Sequence, residues 1–196
     1  GILQTGTVII DKKTYELDTD GSLKDYTPKK KSSKKKSSGK SDTSDKSGTS
    51  TAKKSVALTC DDGPSSFTDR LLDCLEENNA KATFFMVGTE IASFPDEVKR
   101  MKKLGCELGN HTYDHKDLAT LSSDEISSEI ARVDEQLVNL TGEGASVVRP
   151  PYGSVNDTVK STVGTPMILW SIGTLDWKTQ DVESTVEEVM NNVKDG

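Results

Sequence analysis

Four short groups of residues in this chain carry side chains suited to hydrolytic chemistry, and each stands close behind an apolar run. The first, Thr59-Cys60-Asp61-Asp62-Gly63-Pro64, ends the run Val56-Ala57-Leu58. Adjacent carboxylates can divide labour, one ligating a cation and one moving a proton, because environment rather than residue type sets their roles. An acidic turn is the competing reading, since Asp, Gly and Pro are ordinary turn residues. The second group, His111-Thr112-Tyr113-Asp114-His115, holds both histidines of the sequence. Histidines four apart share one face of a helix, and across a loop they can still converge. With one carboxylate they make three protein ligands and an open position, the arrangement of a catalytic rather than a structural zinc site. The third group is Arg149-Pro150-Pro151-Tyr152-Gly153 and the fourth Asp176-Trp177. Taken singly, each has a plain reading: a structural histidine, a surface ion pair for Arg149, core packing for Trp177. Two histidines confined to one motif, with a carboxylate pair upstream, favour the metal.

The elements that must position these groups alternate in type. Val56 to Thr59 reads as a strand, Phe67 to Asn79 as a helix, and Ala82 to Val87 as a second strand. Pro95 to Leu104 is a helix with Pro in its first turn, Val98, Met101 and Leu104 on one face, and Gly105 as its stop. Cys106 to Leu108 is a short strand that releases into His111. Ser122 caps a long helix with an acidic first turn, whose buried stripe is Ile126, Ile130, Val133, Leu137 and Leu140. Val147-Val148 is a strand, Asn156 to Val163 a helix, Met167 to Ile172 a strand, and Asp181 to Val193 a helix. Strand–helix alternation, with each chemical group beyond a strand's C-terminal end, implies a parallel α/β sheet or barrel. Trp170, on the last strand, is expected in the core.

In this order the four groups resemble the polysaccharide deacetylases with a NodB-homology domain, carbohydrate esterase family 4, over roughly residues 55–196. That family's first motif reads Thr-Phe-Asp-Asp-Gly-Pro, and Cys60 stands here in the Phe place. His111 to His115 match the second motif, His-Ser/Thr-x-x-His, in full. Arg149 to Gly153 match the third and Asp176-Trp177 the fourth. The resemblance implies a distorted (β/α) barrel with fewer than eight clean repeats. It implies that Asp62, His111 and His115 hold one divalent ion, zinc first among candidates. Asp61 is then the catalytic base, held ionised and oriented by Arg149. Tyr152 offers its backbone N–H to an oxyanion, and Trp177 walls the acetyl pocket. Asp176 orients the general-acid histidine of a fifth motif, Leu-x-His, which does not occur in this sequence. The domain is therefore expected to be incomplete at its C-terminus and, as given, a poor catalyst. Gly173 is a further departure, since the family often has Asp there.

Composition separates three segments, 1–26, 27–54 and 55–196. The formal charge of −7 and the pI near 5.0 argue against a nucleic-acid partner, yet the average conceals a split. Residues 55–196 hold 25 Asp and Glu against 12 Lys and Arg, a net of −13, whereas residues 27–54 hold ten Lys against two Asp, a net of +8. The basic segment has almost nothing apolar and reads as a solvated, extended linker without the interleaved aromatics of a nucleic-acid patch. Before it, Val8-Ile9-Ile10 and Thr14-Tyr15-Glu16-Leu17 have hairpin spacing. This part is similar to one cell-wall-binding repeat of the choline-binding type, although Thr7 stands where that family commonly has Trp. Cys60, Cys74 and Cys106 lack CxxC spacing and read as small buried hydrophobes. No run spans a membrane. These features together suggest an extracellular, wall-associated enzyme acting on an N-acetylated glycan, peptidoglycan before chitin or xylan. The repeat and the basic linker would rest on wall polymer. A glycan-binding protein with weak or no catalysis is the alternative.

Overall fold

Parallel strands joined through helices form a sheet whose one face the helices cover, and this is the architecture found. The computed structural model describes residues 6–10, 13–17 and 56–194. The basic linker at 27–54, and the turns of the repeat-like segment at 1–26, lie outside the described residues. There are two compact units: Ala57–Ser171, and a second to which residues 172–194 belong.

Near the start of the chain β1 (Gly6–Ile10) and β2 (Lys13–Leu17) pair antiparallel, in a register running from Gly6 opposite Leu17 to Ile10 opposite Lys13. In the Ala57–Ser171 unit the elements are β3 (Thr59–Gly63), α1 (Thr68–Glu77), β4 (Thr83–Met86), α2 (Gly88–Ile91), α3 (Pro95–Leu104), β5 (Glu107–Asn110), α4 (Ser123–Thr141), β6 (Val147–Val148) and α5 (Asp157–Thr162). The other unit carries α6 (Asp176–Thr179) and α7 (Val182–Asn192), the latter capped by Asp181, whose carboxylate accepts from the Ser184 N–H at 2.7 Å.

Strands β3, β4, β5 and β6 lie side by side in that order, all parallel. Sequential parallel strands with crossovers of one hand place their helices on one side. Phe84, Met86 and Leu108 face those helices and meet Leu72, Leu75, Val98, Met101, Val133 and Leu137 in the main core. Phe85, the residue between, turns to the opposite face by the two-residue period of a strand. There it lies under the Arg149 guanidinium, 4.0 Å from its ring centre. Gly109 on the next strand has no side chain because a Cβ would stand 2.6 Å from the Phe85 ring. A second core joins Leu118, Ile126, Val148, Val159 and Val163.

Local chemistry accounts for the two helices that flank the site. α3 begins on Pro95 and ends on Gly105 at φ 74°, the left-handed stop that a glycine meets without a Cβ penalty. α4 opens on a reciprocal capping box, with the Ser122 hydroxyl accepting from the Glu125 N–H and the Glu125 carboxylate accepting from the Ser122 N–H.

Several expectations need correction. The first strand of the domain is displaced towards the acids: β3 spans Thr59–Gly63, not residues 56–59. Its partner β4 begins only at Thr83, opposite Thr59; the Leu58 carbonyl still accepts from the Thr83 N–H at 2.9 Å, but the Val56 and Leu58 side chains are exposed. Residues 167–172 form no strand; Met167 makes a single bridge to Val148. Beyond it the carbonyls of Ile168 and Leu169 accept from the Arg149 side chain, which removes them from any ladder. Trp170 is half exposed rather than core, and Cys74 is exposed rather than buried.

The core and the cap should differ in weight. Leu137, fully buried on α4, loses about 2–5 kcal/mol of folding free energy on replacement by alanine. Ser122→Ala removes only a surface cap and costs about 1 kcal/mol. Urea unfolding of the two variants checks the order.

Candidate metal centre

Chain geometry, not sequence spacing, aims the acids. Between Cys60 and Gly63 the pairing of β3 with β4 slips, and Asp62 adopts a left-handed φ of 65°. A bulge re-aims side chains that would otherwise alternate across the sheet. Asp61 therefore turns to Arg149 while Asp62 turns outward to the histidines.

His111 follows the last residue of β5 and extends its ladder, its N–H donating to the Met86 carbonyl at 2.9 Å. The chain then leaves the sheet in a loop with left-handed backbone at Thr112 (φ 68°) and His115 (φ 54°). The two rings meet edge to face at 4.9 Å, so convergence is achieved across a loop and not along a helix. Asp62 Oδ1 stands 3.4 Å from His111 Nε2 and 3.2 Å from His115 Nε2. One ligand atom from each residue lies within 4.8 Å of the others.

This trio fits a metal ion. Ligands at about 2.0–2.1 Å from one tetrahedral ion stand about 3.4 Å apart, close to the observed separations. The His111 tautomer agrees. Its Nδ1 is 2.6 Å from the Arg149 carbonyl, which can only accept, so Nδ1 carries the hydrogen and Nε2 of the neutral ring presents a lone pair. That lone pair faces a carboxylate, and a cation between them satisfies both. When His111 is instead protonated, its hydrogen bond holds the Asp62 carboxyl below its ordinary value, and partial burial works the other way. Burial pushes His115 below the usual histidine range, against the pull of Asp62. A His115 that resists protonation is a ready ligand.

Arg149, 2 % exposed, binds the neighbouring acid. One guanidinium nitrogen donates to Asp61 Oδ1 at 2.6 Å and to the Thr59 hydroxyl at 2.9 Å. The other donates to the Leu169 carbonyl at 2.9 Å, and Nε to the Ile168 carbonyl at 3.1 Å. Buried charge is tolerated when it is paired and hydrogen-bonded in this way. Tyr152 follows in a tight turn at φ 61°, largely exposed, its ring 5.0 Å from that of His115. Next to it Gly153, at φ 65°, lies against Trp170, whose ring is 3.0 Å from where a Cβ would be.

The structure thus brings together Asp61, Asp62, His111, His115, Arg149 and Tyr152. Asp176 and Trp177 fall in the second unit, where they open α6. The Asp176 carboxylate accepts from the Thr174 hydroxyl at 2.6 Å, and Trp177 is 73 % exposed. Two supporting residues were not singled out from the sequence, Asn110 and Glu129, and Thr59, named there at the head of the first motif, was given no role of its own. Asn110 and Glu129 are both buried. Only Glu129 left a signal, a carboxylate inside the apolar stripe between Ile126 and Val133.

The two acids should respond differently to loss of charge partners. Arg149→Met leaves Asp61 facing an apolar group and lowers stability by about 3–5 kcal/mol. Asp62→Asn, at a largely exposed side chain, changes the stability of chelator-treated protein by less than about 0.5 kcal/mol yet removes tight metal binding. Urea unfolding in chelator, with zinc titration, measures both.

The family profile described as polysaccharide deacetylase matches residues 48–165. The peptidoglycan-N-acetylglucosamine deacetylase PgdA of Listeria monocytogenes serotype 1/2a (strain 10403S) is 39% identical over 144 residues, covering 73% of this chain and 31% of that protein. A bifunctional xylanase/deacetylase of Pseudobutyrivibrio xylanivorans is 40% identical over 153 residues, 76% of this chain and 25% of its own length. The chain thus spans under a third of the length of either of these curated relatives. Among solved structures, the peptidoglycan deacetylase PdaC from Bacillus subtilis superposes with a TM-score of 0.72 at 36% identity, over 74% of this chain and 72% of that one. The fold is the distorted barrel of that structure. On the family match, the relatives and the shared fold, this chain belongs to the polysaccharide deacetylases.

Proposed function

We propose that this chain is a metal-dependent deacetylase that removes acetyl groups from an N-acetylated glycan, with peptidoglycan N-acetylglucosamine as the first substrate to test. The observation that carries this reading is one pair of adjacent acids with two different surroundings. Asp62 shares a cation-sized space with His111 and His115, and Asp61 is gripped by a buried arginine. Zinc suits the two nitrogens and one carboxylate oxygen of the trio. When bound, a divalent ion supplies Lewis acidity to the acetyl carbonyl and lowers the pKa of a water near it.

The protein's own groups do the rest. Asp61 accepts the proton of the attacking water. Its hydrogen bond to Arg149 through Oδ1 keeps the carboxylate oriented. The Tyr152 peptide, turned by its left-handed conformation beside His115, offers its N–H to the oxygen on which charge develops. The roles that the family resemblance gives Asp176 and Trp177 rest on their motif alone.

Two relatives named for peptidoglycan support the choice of that polymer, and the matched xylanase/deacetylase keeps xylan as the competing substrate. An extracellular, wall-associated location follows from the same reading, with residues 1–26 as a wall-binding repeat and 27–54 as a tether. Ten lysines against two aspartates on that tether would attract anionic wall polymer.

Acetate release from an N-acetylglucosamine oligomer tests the proposal. Chelation should stop release and zinc restore it. Asp61→Asn should lower kcat by about 10²–10⁴-fold with zinc affinity intact. Zinc binding and glycan binding without acetate would instead make this a binding protein on the same fold.

A further inference from the structure

The loop that delivers both histidines does not hold its own shape. Two of its residues, Thr112 and His115, are left-handed non-glycines, a conformation L-residues adopt at a cost. Something outside the loop must hold it, and its backbone groups find their partners on either side. On one side the Gly88 N–H donates to the Thr112 carbonyl at 3.0 Å, and the Thr89 N–H to the Tyr113 carbonyl at 3.1 Å. Gly88 has room for this because a Cβ there would stand 2.4 Å from the Tyr113 ring. At the loop's start the Thr112 N–H donates to Asn110 Oδ1 at 2.9 Å. The next two N–H groups, of Tyr113 and Asp114, both donate to a single oxygen, Glu129 Oε2, at 3.0 and 2.8 Å.

Glu129 is 4 % exposed on α4, between Ile126 and Val133, which are both fully buried. Its second oxygen accepts from Lys116 Nζ at 2.9 Å, just past the loop. Successive amides converging on one point form an anion-binding concavity, filled here by the protein's own carboxylate. The residue type matters because all three partners are donors. A carboxylate only accepts, whereas a glutamine of the same shape must turn its NH2 towards one of them. Further along the outside, Arg132, one helical turn on from Glu129, stacks over the Tyr113 ring at 3.2 Å and reaches Asp114 at 3.6 Å.

We infer that Glu129 is the positioning residue of the metal centre: by binding the Tyr113 and Asp114 amides it fixes the loop so that His111 and His115 are aimed before any ion arrives. This rests on the metal reading of the trio. Glu129 touches neither the metal ligands' side chains nor the reacting groups, so its effect must appear first in metal affinity.

The test is zinc affinity of the full chain, measured by competition with a chromophoric chelator, for wild type, Glu129→Met, which removes both amide contacts, and the control Glu135→Gln, an exposed carboxylate on the same helix. Glu129→Met should bind zinc about 10- to 100-fold more weakly, and the control should match wild type. The rise in unfolding midpoint on adding zinc should be smaller for Glu129→Met, since that rise grows with the logarithm of affinity. Equal zinc affinity in wild type and Glu129→Met overturns the positioning role and leaves the metal reading standing. Failure of wild type to bind zinc overturns both. Should Glu129→Met not fold in chelator, Glu129→Asp, which keeps the charge but withdraws it by one methylene, is read by the same criterion.

Discussion

A buried guanidinium has five N–H donors and no way to shed its charge, so whatever surrounds Arg149 must be arranged to receive them. Four acceptors do so: a carboxylate and a hydroxyl on β3, and two successive carbonyls from the segment after β6. The ring of Phe85 lies against its flat face, as cation–π attraction favours. The backbone of the same residue accepts from His111. One residue thereby fixes the direction of Asp61, the tautomer of His111 and the path of the chain at 168–169. Replacing its side chain would free Asp61 and the carbonyls at 168–169, whereas the His111 contact, made by the backbone, would remain.

The metal trio depends on that arrangement without touching the guanidinium. Its three side chains come from a bulge at the end of β3 and a loop leaving β5. Neither is a regular element, and regular elements could not have done the work. In an unbroken strand Asp61 and Asp62 would point to opposite faces, and on a helical turn the histidines would lie along one stripe rather than converging from two directions. Strain at Asp62, Thr112, His115 and Tyr152 clusters around one point, as backbone strain does at functional sites.

Support comes from α4, a helix that serves two ends at once. Its apolar stripe closes the core through Val133 and Leu137, and its first turns carry Glu129 into contact with the histidine loop. Asn110 answers from the sheet, donating to the Ile130 carbonyl and to Asp134 on α4 while accepting from Thr112. A helix packed into the core moves little, so the loop it braces inherits that rigidity. This is the physical sense in which the centre is preorganised.

Much of this was legible in the chain itself. Alternation of apolar runs with amphipathic segments determined the parallel α/β class, and the capping residues Ser122 and Gly105 determined where two helices begin and end. The ligand types and their motif order singled out Asp62, His111 and His115. Local composition could not decide where strands find partners. The edge strand slid from residues 56–59 to Thr59–Gly63 because β4 begins opposite Thr59, and 167–172 failed as a strand because a buried arginine took its carbonyls. Glu129 read as one polar residue in an apolar stripe, since its partners lie 15 and 16 residues back in sequence. Residue type and spacing determine what chemistry a chain can do; which donors and acceptors finally meet is decided by tertiary structure, because burial leaves each polar group no partner but the one that packing supplies.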